Sequence, residues 1–110
     1  MARSQTDVLQ GTLDLLILKA LSLTPMHGWG LTQRLEQISR DVLQVNPGSL
    51  YPALERLQDR NWISAEWRRT ENNRRAKYYS LTRAGRRQLG VETDAWRRFV
   101  SAVDEILRTT

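Results

Sequence analysis

Two short alternating stretches bracket a run of arginines, and no other feature limits so strongly what this chain can fold into. Trp62-Ile63-Ser64-Ala65-Glu66-Trp67 puts Ile63, Ala65 and Trp67 on one face and Ser64 and Glu66 on the other. Lys77-Tyr78-Tyr79-Ser80-Leu81 puts Tyr79 and Leu81 on one side. Period two is the signature of a strand with one face buried. Between them lies Arg68-Arg69-Thr70-Glu71-Asn72-Asn73-Arg74-Arg75-Ala76, with Asn72-Asn73 as a turn signal. The pattern predicts a β-hairpin with a long arginine-rich tip.

The charge of the whole chain resides there. Arg68, Arg69, Arg74, Arg75, Lys77, Arg83, Arg86 and Arg87 face only Glu66 and Glu71 between Trp62 and Arg87, a surplus of six. The rest of the chain holds nine basic and ten acidic residues. A field concentrated in one segment points to a polyanionic partner. Fifteen of the seventeen cations are arginine, whose planar fork of donors suits phosphate and guanine edges.

Several function classes fall away. There is no cysteine, which excludes disulfides, thiolate ligands and thiol chemistry. His27 is the only histidine, without a second metal ligand of suitable type nearby, so no metal or other cofactor is expected. It reads as a hydrogen-bonded structural residue in a loop that starts a helix. No carboxylate pair lies near a plausible pocket, so the chain is not expected to be an enzyme. The opening residues Met1 to Asp7 lack the apolar core of a signal peptide. No run approaches the roughly 20 apolar residues of a bilayer span. A cytoplasmic chain with no membrane partner is the expectation. With 110 residues, 40% of them apolar, the chain suits one small globular unit.

The remaining apolar residues fall at helical spacing. Val8 to Leu23 predicts a first helix with Ser4 or Thr6 as its cap and Asp7 in its first turn. Apolar residues lie on nearly every side of it. It is therefore either the central core helix or one that touches a second subunit. Thr24 to Gly28 breaks the pattern. A second helix runs from about Trp29 to Ser39 on an inner stripe of Leu31, Leu35 and Ile38. Val42 to Val45 reads as a short edge strand. In a third helix, over Asn46 to Arg60, Leu50, Leu54 and Leu57 form the apolar stripe, and Ser49, Pro52, Arg56 and Arg60 lie opposite with Tyr51 and Glu55 beside them. Either Asn46 or Ser49 caps this helix. Pro52 then lies six positions in or within the first turn. Outward N–H groups near Gly48 and Ser49 would suit a phosphate. Asn61 is placed to end the helix in a left-handed conformation.

Thr82 caps a last helix from about Arg83 to Arg108. Leu89, Trp96 and Val103 repeat every seven residues, as do Phe99 and Ile106. An apolar stripe at the end of a domain whose core is already supplied calls for a partner helix, most simply from an identical subunit.

The order is helix, helix, helix, hairpin, helix. The expected fold is mainly α with a small β-hairpin: a winged helix-turn-helix over residues 1–82 and a C-terminal dimerisation helix over 83–110, in one compact unit. The third helix would enter the major groove of double-stranded DNA, with Arg56 as a base contact. The wing arginines would reach neighbouring phosphates or the minor groove.

The chain resembles the PadR-like bacterial transcriptional regulators from about Gln10 to Leu107. The resemblance rests on Gly11-Thr12-Leu13-Asp14-Leu15-Leu16-Ile17-Leu18, Met26-His27-Gly28-Trp29-Gly30-Leu31, Gly48-Ser49-Leu50-Tyr51-Pro52-Ala53-Leu54, Arg56-Leu57, and Arg75-Ala76-Lys77-Tyr78-Tyr79-Ser80-Leu81-Thr82-Arg83-Ala84-Gly85. Trp29 stands where the family usually has tyrosine, and Asn61-Trp62 replaces a glycine-rich helix end. The single last helix resembles the short-tailed branch. The resemblance implies a homodimer, usually a repressor, that binds a palindromic operator. It implies DNA contacts from Ser49, Tyr51 and Pro52 on the reading helix and from Arg74, Arg75 and Lys77 on the wing. It also implies a dimer interface from the first and last helices, here Leu13, Ile17, Trp96, Phe99, Val103 and Ile106. Some relatives hold flat apolar effectors between subunits, which would place a small hydrophobic effector at Trp96 and Phe99. The competing reading is a protein–protein module whose winged helix meets an acidic partner.

Overall fold

The computed structural model of the protein describes residues 2–110, and side chains from 11 onward. The elements are α1 (Ala2–Leu23), β1 (Met26–His27), α2 (Gly28–Ile38), α3 (Pro47–Asp59), β2 (Ile63–Arg69), β3 (Arg75–Leu81) and α4 (Arg83–Arg108). α1 starts upstream of the expected Val8, and the side chains of Ser4, Thr6 and Asp7 lie outside the described ones. The architecture is a winged helix of mainly α content, as expected.

The core shows why α1 is apolar all round. Leu13, Ile17, Leu18, Ala20 and Leu21 are buried against Leu31 and Leu35 of α2, the Leu50, Ala53, Leu54 and Leu57 stripe of α3, Ile63 of β2 and Tyr79 of β3. No α4 side chain belongs to this buried set, and Leu89 only packs on its edge. The core is therefore complete before α4 begins. Ile38, expected on the inner stripe of α2, is instead more than half exposed, because the helix ends there and the chain turns away.

Both middle helices end in the same manner. At α3, the N–H of Trp62 donates to the Leu57 carbonyl at 3.1 Å and that of Asn61 to Gln58 at 3.0 Å, with Asn61 at φ 62°. This left-handed exit satisfies the orphan carbonyls of the last turn, with asparagine in the place usually taken by glycine. At α2, Asp41 donates to Glu36 and Arg40 to Gln37 in the same pattern, with φ 63° and 53°.

The following segment, 42–45, is not the expected strand. The N–H of Leu43 donates to Ser39 Oγ at 3.1 Å and that of Val45 to Glu36 Oε2 at 3.1 Å. Side chains from the end of α2 thus consume the groups a strand would have paired. The extra strand comes from Met26–His27, a stretch expected to be a plain break. It pairs antiparallel with Tyr79 and Tyr78, giving a three-stranded sheet in the order β1-β3-β2.

The hairpin is longer in its strands and shorter at its tip than expected. Register runs from Ile63 opposite Leu81 to Arg69 opposite Arg75, so Arg68, Arg69 and Arg75 belong to the ladder itself. The turn closes through Thr70 N–H to the Arg74 carbonyl at 2.7 Å, with Asn73 left-handed at φ 60°.

Thr82 sets the direction of α4. Its Oγ accepts from the Gly85 N–H at 2.9 Å while its hydroxyl donates to the Asn61 carbonyl at 2.7 Å. One side chain thereby caps α4 and ties it to the exit of α3. The long α4 then extends away from the core, and the molecule measures 58 × 28 × 24 Å.

Candidate nucleic-acid interface

The start of α3 is settled by Asn46. Its Oδ1 accepts from the Ser49 N–H at 3.0 Å, Pro47 occupies the first turn, and Pro52 lies inside the helix. Pro52 has no N–H to offer the Gly48 carbonyl, so the helix lacks one internal bond on its outer side. The Ser49 N–H was expected to be free for a phosphate. It is not, since Asn46 holds it with both its side chain and its carbonyl. The Ser49 hydroxyl, Tyr51 and Pro52 remain exposed on the face opposite the buried leucines.

Arg56, expected as a base contact, carries an ion pair that the sequence did not suggest. Its Nη2 donates to Asp14 Oδ1 of α1 at 2.8 Å, both side chains are mostly covered, and its Nε is buried without a partner. The pair engages one end of the guanidinium, while the side chain stays 30% exposed beside Ser49 and Pro52. Arg56 thereby ties α3 to α1.

The wing cations divide into two groups. Arg68 is held by Glu66 through two donors, at 2.8 and 2.6 Å, and lies over the Tyr78 ring. Arg69 is held by Asn73, at 3.0 Å to Oδ1. The side chains of Arg74, Arg75 and Lys77 make no hydrogen bond or ion pair among the described residues. Arg75 instead has its guanidinium carbon over the Trp67 ring, 5.1 Å from the centroid. The cations expected to meet DNA are therefore those left unpaired, while the other two stiffen the wing.

A line of contacts joins α3 to the wing. Tyr51 of α3 lies against Gly28, the first residue of α2: an ideal β-carbon there would sit 2.6 Å from the Tyr51 hydroxyl oxygen. Beside Gly28, His27 accepts from the Gly30 N–H at Nδ1, 3.0 Å, and so caps α2. Its ring meets the Tyr78 ring edge-on at 5.1 Å, and Arg68 lies on the same Tyr78. Gly28, His27, Tyr78 and Trp67 were not singled out as functional from sequence. The only local clue was a glycine placed between histidine and tryptophan at a helix start. Tyr79, on the buried side of β3, has its phenol pKa raised above the ordinary 10.0 by burial and by the nearby Tyr51 hydroxyl.

The interface expected for the second subunit needs one correction. Leu13 and Ile17 are 9% and 0% exposed within the protomer, so both belong to its own core. On α4, Trp96, Phe99 and Ile106 are exposed and Val103 is half-buried. Trp96 and Phe99 lie 6.1 Å apart between ring centroids. Leu15, Leu16 and Lys19 of α1 line an open groove with Leu89, Trp96 and Val100 of α4. No described helix is long and apolar enough to cross a membrane.

The sequence profile of the Transcriptional regulator PadR-like family matches residues 17–91. A transcriptional regulator from Clostridium thermocellum superposes with a TM-score of 0.85 at 20% identity, covering 93% of this chain and 99% of that one, a likeness of fold. A PadR family transcriptional regulator from Eggerthella lenta is similar at TM-score 0.80 and 27% identity, over 99% of this chain and 94% of that one. A PadR-like transcriptional regulator from Bacillus cereus gives 0.75 and 25%, over 98% and 99%. The match runs from within α1 through α2, α3 and the wing into the first part of α4, and the chain belongs to the PadR-like family of DNA-binding transcriptional regulators.

Proposed function

We propose that the chain is a cytoplasmic, homodimeric repressor that binds a palindromic operator. Each protomer places the outer face of α3 in the major groove, with Ser49, Tyr51 and Pro52 at its leading end. Arg74, Arg75 and Lys77 of the wing meet the neighbouring backbone or the minor groove. The observation that carries this reading is the division of the wing cations, since the three side chains without a hydrogen-bonded or ionic partner belong to an element that contacts α2 and α3 through Tyr78, His27, Gly28 and Tyr51. Unpaired guanidinium groups on a rigid ribbon are what phosphate oxygens require.

Residues 1–82 act as the reading unit and 83–110 as the dimerisation helix. Support for the dimer comes from the exposed stripe of Trp96, Phe99 and Ile106, on a helix that the protomer's core does not need. Two such stripes back to back would bury it. A planar apolar effector would enter between the paired Trp96 and Phe99 side chains and alter the spacing of the two reading helices.

Gel shifts with the gene's own promoter against scrambled DNA, at two salt concentrations, test the reading. Preference for the promoter, weakened by Tyr51→Ala and Arg75→Ala, is the expected result. Equal affinity of all variants for both DNAs overturns it.

A further inference from the structure

Trp67 is 59% exposed, whereas the other aromatics of the two strands are paired, as Tyr78 with His27, or buried, as Tyr79. It lies on β2 opposite Lys77, and Arg69 lies opposite Arg75, so Trp67 and Arg75 are diagonal neighbours on one face of the ladder. The Arg75 guanidinium lies over the indole at 5.1 Å. No other group holds it, whereas Arg69, its cross-strand neighbour on the same face, is held away by Asn73. The indole face therefore carries one cation and leaves its donors unused.

We propose that Trp67 is a positioning residue for DNA recognition, and that the Trp67–Arg75 stack makes the wing selective for a narrow, A/T-rich minor groove flanking the site read by α3. This rests on the proposal that the wing contacts DNA. Stacking on an aromatic face limits the planes a guanidinium can take and leaves its N–H groups available for other partners. A guanidinium is also more weakly hydrated than an ammonium, so it enters a narrow groove with less loss of solvation. A/T-rich tracts narrow the minor groove and deepen its negative potential, which favours an inserted arginine without any base-specific hydrogen bond. Lysine at position 75 would keep the charge but lose the plane, and alanine at position 67 would keep the charge but lose the support. Arg74 lies in the turn and stacks on nothing, so it supplies charge alone.

The test uses the full-length protein and DNA sites that it selects from a random pool, resynthesised with either A/T or G/C flanks. The wild type is expected to prefer A/T flanks by about five- to tenfold, in the range of sequence-dependent groove effects. Trp67→Ala and Arg75→Lys should each reduce that preference to about twofold or less while leaving the salt dependence of binding unchanged, because charge is conserved. Trp67→Phe should restore most of the preference. Arg75→Ala should lose the preference and also lower the slope of affinity against salt by about one. A wild type that binds its selected sites without flank preference overturns the inference and leaves the DNA-binding reading standing. So does a Trp67→Ala protein that keeps the preference. Failure of the wild type to enrich any sequence from the pool overturns both.

Discussion

The hydroxyl oxygen of Tyr51 occupies the space that a β-carbon on Gly28 would need, 2.6 Å from its ideal position. Gly28 is not in a left-handed conformation. Its lack of a side chain therefore serves the approach of the tyrosine rather than the backbone. Gly28→Ala is expected to push the Tyr51 ring outward while the protein stays folded. Operator affinity should fall about tenfold, equivalent to one lost hydrogen bond to a charged phosphate. In a double-mutant cycle, adding Gly28→Ala to Tyr51→Ala should cost little more, since the clash is gone. Full additivity would mean that Gly28 acts without Tyr51.

Gly85 gives the opposite case. A β-carbon there would lie 1.9 Å from the Trp62 carbonyl oxygen, which is backbone and cannot swing aside. Gly85→Ala should separate the start of α4 from the exit of α3 and destabilise the fold by about 3 kcal/mol, the upper end of overpacking costs. Thermal unfolding measures this directly, and a melting temperature equal to the wild type's would contradict the geometry.

Asp14 and Arg56 form a mostly covered ion pair between α1 and α3. Both side chains keep some solvent access, so their coupling should be about 1 kcal/mol, near the top of the range for exposed pairs. A cycle of Asp14→Asn and Arg56→Gln in urea unfolding reads that value. The base preference of the selected DNA sites should not change in Arg56→Gln, whereas a change at one operator position would restore Arg56 as a base contact.

Phe99 and Ile106 are 56% and 72% exposed on α4. If they form the seam between subunits, Phe99→Glu with Ile106→Glu places like charges across it and yields a monomer in sedimentation. Operator affinity should fall at least about a hundredfold, because a dimer joins two half-sites at high effective concentration. The circular dichroism of the variant should keep its helical content, since neither residue belongs to the core. A persistent dimer would place the interface elsewhere.

Tyr79 supplies a pH dependence. Its raised folded-state pKa means that the folded protein resists losing this proton, first through burial and then through the Tyr51 hydroxyl. Stability from Tyr79 is fully present below the unfolded-state pKa of 10.0 and is lost as pH rises through the folded value. Urea midpoints of the wild type should therefore drop above about pH 10 more steeply than those of Tyr79→Phe, which cannot ionise. Parallel pH profiles would show that Tyr79 does not contribute.

The amino-acid sequence by itself determined whatever depends on neighbours a few residues apart. Thr82 as a helix cap, Asn61 as a left-handed exit, Asn72-Asn73 as a turn, the leucine stripe of α3 and the heptad spacing of α4 all follow from hydrogen bonds and periodicities within one or two turns. The order of those elements was enough for the winged helix, and the charge surplus was enough for a polyanionic partner, nucleic acid or acidic protein alike. Only the tertiary structure decided which polar groups were already occupied. Arg56 reads as a free cation until Asp14, 42 positions away, is brought against it. Leu13 and Ile17 read as candidates for a second subunit until the core claims them. Met26 and His27 read as a break until β3 supplies an edge, and Val42 to Val45 reads as a strand until Glu36 and Ser39 take its N–H groups. Each of these outcomes turns on pairing between segments distant in sequence. A donor or an apolar face can be recognised in the chain, but its partner is chosen only when the chain has folded.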